Sequence, residues 1–238
     1  MPETALLSGR VALITGASRG IGRAAALAIS RAGAHVILVA RTIGGLEEVD
    51  DEIKQQGGEA TLVPLDLKDF DGLDRMGAAI FERWGKLDVL LGNAGILGIM
   101  TPVAHLQPKT WDELIAVNVS ANYRLIRSAD PLLQRSDAGR ALFISSGVAR
   151  NPRPFWGGYA ASKAALESLV LTYAAECAST DVKANLFNPG ATRTKMRAQA
   201  MPGEDPMSLP SPEDIAPQIV ELLLPSCKKN GELITAVR

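Results

Sequence analysis

Seven short apolar runs recur along this chain, and segments of helical period separate them. The first run, RVALIT from Arg10, is apolar without alternation, which is typical of a strand buried on both faces of a sheet. The segment GRAAALAISRAG that follows ends on Gly33, a residue that commonly stops a helix. The other six runs begin at His35, Ala60, Leu87, Arg140, Val182 and Glu232. This alternation predicts an α/β fold with a mostly parallel, seven-stranded sheet flanked by helices on both faces.

Length and charge limit what such a fold can do. The chain has 238 residues and a net charge of -1, which suits one domain over residues 1–238 and gives no reason to expect nucleic acid or a membrane as partner. The two cysteines, Cys177 and Cys227, and the two histidines, His35 and His105, lack ligand-spaced neighbours. We therefore expect no disulfide framework and no metal site. Without signal-peptide features or a membrane-length apolar stretch, we expect a soluble, cytoplasmic protein.

One passage is rich in loop-forming residues. From Met196 to Asp214 the chain carries four prolines. We predict a substrate loop near residues 196–212, and its proline-stiffened sequence indicates a more open pocket than a helical lid would give. The alternative is a long surface connection.

A glycine-rich loop follows the first predicted strand directly. It reads TGASRGIG from Thr15 to Gly22, and a helix comes after it. Gly16, Gly20 and Gly22 allow a sharp turn and let a phosphate approach the free N–H groups of the helix N-terminus. The spacing GxxxGxG departs from the usual dinucleotide pattern GxGxxG, and the absence of a following Gly-Lys-Ser/Thr excludes a P-loop. We favour phosphate binding over an ordinary glycine-rich turn.

The end of the second strand indicates which dinucleotide is bound. Proteins that bind the unphosphorylated cofactor usually place an acid there for the ribose 2′-hydroxyl. This chain has Arg41 at that place and Arg19 within the glycine loop. Each arginine alone is more typical of a solvated surface charge, but together they suit a 2′-phosphate. We therefore predict NADP(H), with NAD(H) as the less favoured cofactor.

A tyrosine and a lysine stand four residues apart in the run GGYAASKAAL. This spacing puts Tyr159 and Lys163 on one helix face, one turn apart. A free phenol titrates near pKa ~10, and we expect the neighbouring ammonium to lower that pKa into a useful range. Ser146, thirteen residues upstream, ends a predicted strand, so its hydroxyl would face the same crevice.

Six motifs then combine into a recognisable set: TGASRGIG, NAG (Asn93 to Gly95), VNV around Asn118, SS ending at Ser146, YAASK, and NPG (Asn188 to Gly190). In this order they resemble the short-chain dehydrogenase/reductase family in its short, single-domain form. The resemblance runs from about Gly9 to Val237. It implies a Rossmann-type, doubly wound fold and an NAD(P)-dependent oxidoreductase, and the serine-to-tyrosine interval selects Ser146 over Ser145.

The resemblance also implies residue roles. Tyr159 would be the general acid in carbonyl reduction and the base in alcohol oxidation. Lys163 would hold the nicotinamide ribose and depress the tyrosine pKa, and Ser146 would donate to the substrate oxygen. Asn118 would hold a proton-relaying water, although a mid-helix asparagine is more often a buried residue bonded to neighbouring backbone.

The implied cofactor contacts follow the same motifs. Asp66 and Leu67 would meet the adenine, NAG would line the adenosine ribose with Asn93 in a structural role, and Thr192 and Thr194 would orient the carboxamide. The complete predicted cofactor set is Gly16, Ser18, Arg19, Gly20, Ile21, Arg41, Asp66, Leu67, Asn93, Ala94, Gly95, Tyr159, Lys163, Pro189, Gly190, Thr192 and Thr194.

The substrate is less constrained by the sequence. Phe155 and Trp156 could wall an apolar carbonyl or alcohol substrate beside Ser146 and Tyr159, or else serve subunit packing. Three functions remain: an NADPH-dependent carbonyl reductase, a different chemistry on the same scaffold, and a catalytically idle nucleotide-binding scaffold. The intact Ser-Tyr-Lys set favours the first. The resemblance further implies a homodimer or homotetramer, formed through the helices that carry NV and YAASK.

Overall fold

Seven parallel strands form the centre of the computed structural model, which describes residues 6–237. The strands are β1 (Val11–Thr15), β2 (His35–Ala40), β3 (Ala60–Pro64), β4 (Val89–Gly92), β5 (Arg140–Ile144), β6 (Lys183–Asn188) and β7 (Leu233–Thr235). Their order in the sheet is β3-β2-β1-β4-β5-β6-β7, and all six neighbouring pairs in the described chain are parallel. The predicted seven-stranded α/β fold is confirmed, with a parallel sheet throughout.

Eight α-helices connect the strands within the described residues. They are α1 (Gly20–Arg31), α2 (Ile43–Gln55), α3 (Phe70–Trp84), α4 (Pro108–Ile115), α5 (Ala121–Leu133), α6 (Gly157–Glu176), α7 (Lys195–Ala200) and α8 (Pro212–Leu223). The first helix ends as the sequence predicts: Ala32 follows it, and Gly33 then takes the left-handed φ of 98° that a side chain would disfavour. No helix among residues 6–237 is long and apolar enough to cross a membrane.

Two apolar layers cover the two faces of the sheet. Successive residues of β1 point to opposite layers, as Leu13 joins one and Ile14 the other. One layer receives α3, α5 and α6, and the other receives α1, α2 and α8. Because both faces are covered, the strands need no polar side, which is why their sequences are apolar runs without alternation.

The strand order changes direction between β1 and β4. The chain winds outward from β1 to β3, returns to the centre at β4, and winds outward the other way to β7. The loops that leave the carboxyl ends of β1 and β4 therefore separate to opposite faces of the sheet. In doubly wound sheets the crevice between such loops is where ligands bind. The glycine loop leaves β1 here, and Asn93 to Gly95 leave β4.

The predicted substrate loop near residues 196–212 is only partly a loop. Lys195–Ala200 form the short helix α7, Pro206–Ser208 form one 3₁₀ turn, and α8 begins at Pro212. The Thr194 side chain accepts a hydrogen bond from the Arg197 N–H, which caps α7. The structure therefore has a short helix in part of the predicted loop, because the Thr194 cap and the Arg197–Glu204 ion pair stabilise it and the prolines only follow it.

Candidate active site

The glycine loop adopts the conformation that its sequence predicts. Gly16 and Gly20 have positive φ values of 66° and 55°, which glycine adopts without steric cost. Gly22 is needed for a different reason: an added Cβ would collide with the carbonyl of Gly16 and the amide of Asn93. Ile21 lies in the first turn of α1, directly behind the loop. The loop therefore turns tightly and presents the N-terminus of α1 to the crevice.

Asn93 fastens this loop to the neighbouring strand. Its Nδ2 donates to the carbonyls of Thr15 (2.9 Å) and Gly16 (3.3 Å). In return, the fully buried hydroxyl of Thr15 accepts from the backbone N–H groups of Asn93 and Ala94, both at 3.1 Å. These bonds give Asn93 a structural role at the loop. Thr15 was missed, although a hydroxyl ending an otherwise apolar strand is a signal that the sequence contains.

One exposed arginine lies within the same loop, and a second lies next to it after β2. Arg19 and Arg41 are both solvent-exposed, and no carboxylate pairs with either among the described residues. Their two segments touch: the N–H of Ala17 donates to the carbonyl of Val39, and an added Cβ on Gly45 would lie 3.1 Å from that of Ser18. The crevice therefore has two unpaired cations beside a helix N-terminus, which is the chemistry that a phosphate group requires.

Tyr159 and Lys163 lie one turn apart on α6, as predicted, and both are buried (8% and 3% exposed). The Lys163 Nζ donates to the carbonyl of Ile144 at 2.8 Å and lies 5.9 Å from the centroid of the Tyr159 ring. Gly95 leaves the space beside this ammonium open, since an added Cβ would lie 3.4 Å from the Nζ. The two groups share one pocket at the end of β5.

The expected lowering of the tyrosine pKa is not found. Burial raises the pKa of Tyr159 to about 12, and a hydrogen bond with Ser146 lowers it only partly. Burial also lowers the pKa of Lys163 to about 8, with Glu167 opposing that shift. Our prediction failed because it considered the charge of the lysine and ignored desolvation, which acts on both groups and dominates here.

Ser146 and Ser145 take different roles at the end of β5. Ser146 is half-buried, and its side chain lies close enough to Tyr159 to lower the pKa of the phenol. The hydroxyl of Ser145 is buried and donates to the Oε1 of Glu167 at 2.6 Å. Of the two serines, Ser146 is the one placed beside the phenol.

Asn118 lies in a π-helical turn, Ala116–Ser120, between α4 and α5. Its side chain is fully buried; the Oδ1 accepts from the N–H of Ile96, and the Nδ2 donates to the carbonyl of Ile96 and to the Oγ of Ser162, each at 2.9 Å. Both amide hydrogens are thus used, and one lone pair of the Oδ1 is the remaining capacity of the side chain for a water. Sequence reasoning missed Ser162, which its place within YAASK could have indicated.

The NPG segment forms a turn opposite the glycine loop. The N–H of Gly190 bonds the Oδ1 of Asn188 at 3.1 Å, and Gly190 has a φ of 67°. The hydroxyl of Thr192 is buried and donates to the carbonyl of Pro189 at 3.1 Å. Thr194 caps α7, and its Cγ2 would lie 3.5 Å from a Cβ added at Gly20. Both threonines therefore lie at the crevice, with their hydroxyls already in local bonds.

The two residues expected to contact adenine, Asp66 and Leu67, lie just after β3. The Oδ1 of Asp66 accepts from the backbone N–H of Lys68 at 2.9 Å, which fixes this turn, and Leu67 is buried against the core. Asp66 remains half-buried, so part of its surface faces solvent at the open end of the sheet.

Apolar side chains surround the phenol of Tyr159. It packs in one cluster with Leu97, Leu114, Val148, Ala160, Ile96, Met100, Trp156, Met196 and Ala200. Trp156 contacts the tyrosine ring at a centroid distance of 6.1 Å. Phe155 is 55% exposed and has a φ of 73°, the one non-glycine residue with a positive φ in the described chain. The walls of the site are therefore apolar, and α7 supplies one of them.

Metal chemistry has no support in the described chain. No three histidine, cysteine, aspartate or glutamate side chains among residues 6–237 are grouped as metal ligands. Both cysteines, Cys177 and Cys227, are free.

The arrangement of groups in the crevice suits one class of protein. The glycine loop, which is suited to bind a phosphate, lies at the same edge of the sheet as the Tyr159 hydroxyl. An oxidoreductase that uses a nicotinamide dinucleotide requires this arrangement. A family model described as short chain dehydrogenase matches residues 10–205. The chain belongs to the short-chain dehydrogenase/reductase family, whose members are NAD(P)-dependent oxidoreductases.

Individual relatives are similar over nearly the whole chain. The uncharacterized oxidoreductase YciK of Escherichia coli is 40% identical over 225 residues, covering 93% of this chain and 89% of that protein. A short chain dehydrogenase from Pseudomonas syringae is 44% identical with a TM-score of 0.95, and 100% of this chain and 97% of that chain are covered. A short chain dehydrogenase from Escherichia coli complexed with NADPH is 39% identical with a TM-score of 0.95, and both chains are covered completely.

Proposed function

We propose that this protein is an NADPH-dependent reductase of ketones or aldehydes, which also catalyses the reverse oxidation of the alcohol. One observation carries the proposal: Tyr159 and Lys163 are buried side by side on α6 next to Ser146, and the Lys163 Nζ bonds the carbonyl of Ile144 at 2.8 Å. Two hydroxyls placed as Ser146 and Tyr159 are can both bond one substrate oxygen. If Ser146 and Tyr159 had only a structural role, they would have no need to lie at the crevice where ligands bind.

The residues of the crevice suit NADP(H). The Gly16–Gly22 loop and the N-terminus of α1 would hold the pyrophosphate, and Lys163 would hold the nicotinamide ribose. Arg19 and Arg41 would bind the 2′-phosphate, because both are exposed and free of carboxylate partners among the described residues. The Escherichia coli relative complexed with NADPH supports the same choice. When bound, the cofactor supplies the hydride.

Tyr159 is suited to give a proton to the substrate oxygen. With its pKa raised to about 12, the phenol is fully protonated near neutral pH, which is the form that carbonyl reduction needs. Ser146 would donate a second hydrogen bond to the developing alkoxide. Asn118 would hold a water for proton resupply through the free lone pair of its Oδ1.

The substrate is an apolar carbonyl compound. Apolar side chains pack with Tyr159 in one cluster, and Trp156 and Met196 are among them. Burial of an apolar group against these walls contributes about 25 cal/mol per Å². The exposed ring of Phe155 extends this surface at the mouth of the site.

Oxidation of NADPH, followed by absorbance, tests the function directly. We expect turnover with apolar ketones or aldehydes and much weaker turnover with charged ones. The second candidate is a nucleotide-binding scaffold without catalysis. Tight NADPH binding with no turnover against a broad carbonyl panel would favour that scaffold and contradict the reductase.

We also propose that the protein acts in the cytoplasm as a homodimer or homotetramer. Its two unpaired cysteines support a reducing compartment. For assembly, α6 exposes small residues at Ala161 and Ala165, and Tyr123 on the neighbouring α5 is 49% exposed. Light scattering of the wild type and of Tyr123→Arg tests this assembly: a monomer in both would contradict it.

A further inference from the structure

Three consecutive residues at the end of β5 each face a side chain of α6. Lys163 bonds the carbonyl of Ile144, Glu167 bonds the hydroxyl of Ser145, and Tyr159 lies beside Ser146. The three helix residues are spaced by four, so they lie on one face of α6. Two of them belong to the site described above. Glu167, the third, has no part in the proposed reaction.

Glu167 is a buried carboxylate with both oxygens bonded. The residue is 5% exposed; its Oε1 accepts from Ser145 at 2.6 Å, and its Oε2 accepts from the Arg150 Nε at 2.8 Å. Arg150 follows the 3₁₀ turn Gly147–Ala149 that leaves Ser146. Glu167 therefore bonds the chain on both sides of Ser146, one residue before it and four residues after it.

Lys163 lies one turn before this carboxylate on the same face of α6, and both side chains are buried. The charged or titratable groups that face Lys163 in the described chain are Glu167 and Tyr159, both on α6, and Arg150 reaches it only through Glu167. Residues of β5 and of the π-helical turn that face Lys163 offer the uncharged groups of Ile144 and Asn118. Burial lowers the pKa of Lys163 to about 8, and Glu167 is the one group that raises it.

We propose that Glu167 is a positioning residue of this site: its carboxylate keeps the Lys163 side chain an ammonium and fixes the strand end that carries Ser146. The inference rests on the proposed function for its catalytic meaning. The electrostatic part does not depend on that function, since it concerns two side chains of this chain alone. A merely structural ion pair between Glu167 and Arg150 would hold the loop but leave the titration of Lys163 unchanged.

The test is a pH titration of Lys163 in the cofactor-free protein. Lysine labelled with carbon-13 at Cε reports its own protonation by NMR, and the Lys163 resonance is the one that Lys163→Met removes. The wild type should titrate near the pKa of about 8. Glu167→Gln keeps the shape of the side chain and removes its charge. We therefore expect the titration midpoint of Lys163 in this variant to lie about one pH unit below that of the wild type.

Three further variants complete the test. Arg150→Gln removes the cation that neutralises Glu167, so its midpoint should rise above that of the wild type. Ser145→Ala and Glu167→Asp both keep the carboxylate, so both should titrate close to the wild type. An unchanged midpoint in Glu167→Gln would overturn the proposal. If that variant does not fold, an unchanged midpoint in Arg150→Gln would overturn it equally.

Activity provides a second readout. In Glu167→Gln the alkaline fall of kcat/KM should move to lower pH together with the NMR midpoint. A wild type that turns over no carbonyl compound would contradict the proposed reductase, while the NMR titration would still decide the role of Glu167.

Discussion

The Lys163 Nζ donates a 2.8 Å hydrogen bond to the carbonyl of Ile144, two residues before Ser146. This bond ties the helix that carries Tyr159 to β5, which ends two residues before Ser146. Because both the lysine and the tyrosine are buried, each is held in its uncharged form more readily than in water. The two shifts separate their pKa values, to about 8 for Lys163 and about 12 for Tyr159.

This separation predicts which group controls the reaction at alkaline pH. In the proposed mechanism, reduction would require both an ammonium at Lys163 and a protonated phenol at Tyr159, and Lys163 loses its proton first. We expect kcat/KM for reduction to be level near pH 7 and to fall about tenfold per pH unit above the lysine pKa of about 8. The profile of kcat/KM with a fixed carbonyl substrate checks this. A rate that stays level to about pH 10 would mean that Lys163 does not control it.

Tyr159→Phe should abolish turnover while NADPH still binds. The variant removes the proposed proton donor and keeps the ring, and general acid catalysis is worth about 10² to 10⁴ in rate. Steady-state kinetics and NADPH fluorescence separate the two effects. Tyr173→Phe is a matched control on the same helix, because its hydroxyl bonds the Asp130 Oδ1 (2.8 Å) away from the site. The control should keep kcat and lose about 1–3 kcal/mol of unfolding free energy.

Arg41→Asp should change the choice of cofactor. The substitution places a carboxylate where a 2′-phosphate would lie, so NADPH should weaken far more than NADH. Dissociation constants for both cofactors, measured at one salt concentration, give the ratio. Arg31→Asp makes the same charge change at the far end of α1, where Arg31 bonds Gln56. Equal loss of both cofactors in Arg41→Asp would contradict a 2′-phosphate site.

Local sequence patterns predicted the sheet and the candidate site because those features are local. The seven apolar runs mark strands buried on both faces, and the four-residue spacing of Tyr159 and Lys163 marks a shared helix face. The same spacing continues to Glu167, so that residue was within reach of the sequence. A glutamate on a helix is usually solvated, and nothing local shows that this one is buried beside Ser145.

Other features depend on packing between distant segments. The pKa of Tyr159 is set by the side chains that bury it, which come from several loops and helices. The short helix α7 is stabilised by the Arg197–Glu204 ion pair and a cap at Thr194, although prolines follow it closely. Asn118 bonds Ile96, a residue 22 positions away. Sequence periodicity contains no information about such partners.

Lys163→Met should stabilise the cofactor-free protein near neutral pH. The folded state lowers the lysine pKa to about 8 from its ordinary value of 10.5, so below about pH 8 folding disfavours the ammonium. The shift corresponds to a cost on the order of 3 kcal/mol, which methionine does not incur. Because the cost disappears as pH rises from about 8 to 10.5, the gain should shrink over that interval. Urea unfolding of both proteins at the two ends of this pH interval checks this. A gain in unfolding free energy that does not depend on pH would contradict the prediction.

The backbone of Phe155 predicts that stability and substrate binding can be separated. With a φ of 73°, this residue has a conformation that costs a side chain about 1–2 kcal/mol and glycine almost nothing. Phe155→Gly and Phe155→Ala both remove the ring, so both should raise KM for an apolar substrate, by about fivefold if ~1 kcal/mol of burial is lost. Only Phe155→Ala keeps the Cβ and hence the strain, so Phe155→Gly should unfold at a higher urea concentration than Phe155→Ala. A small substrate that does not reach the ring should keep its KM in both variants. Equal stability of the two variants would show that the strain at Phe155 is not released by glycine, and an unchanged KM for the large substrate would exclude the ring from the site.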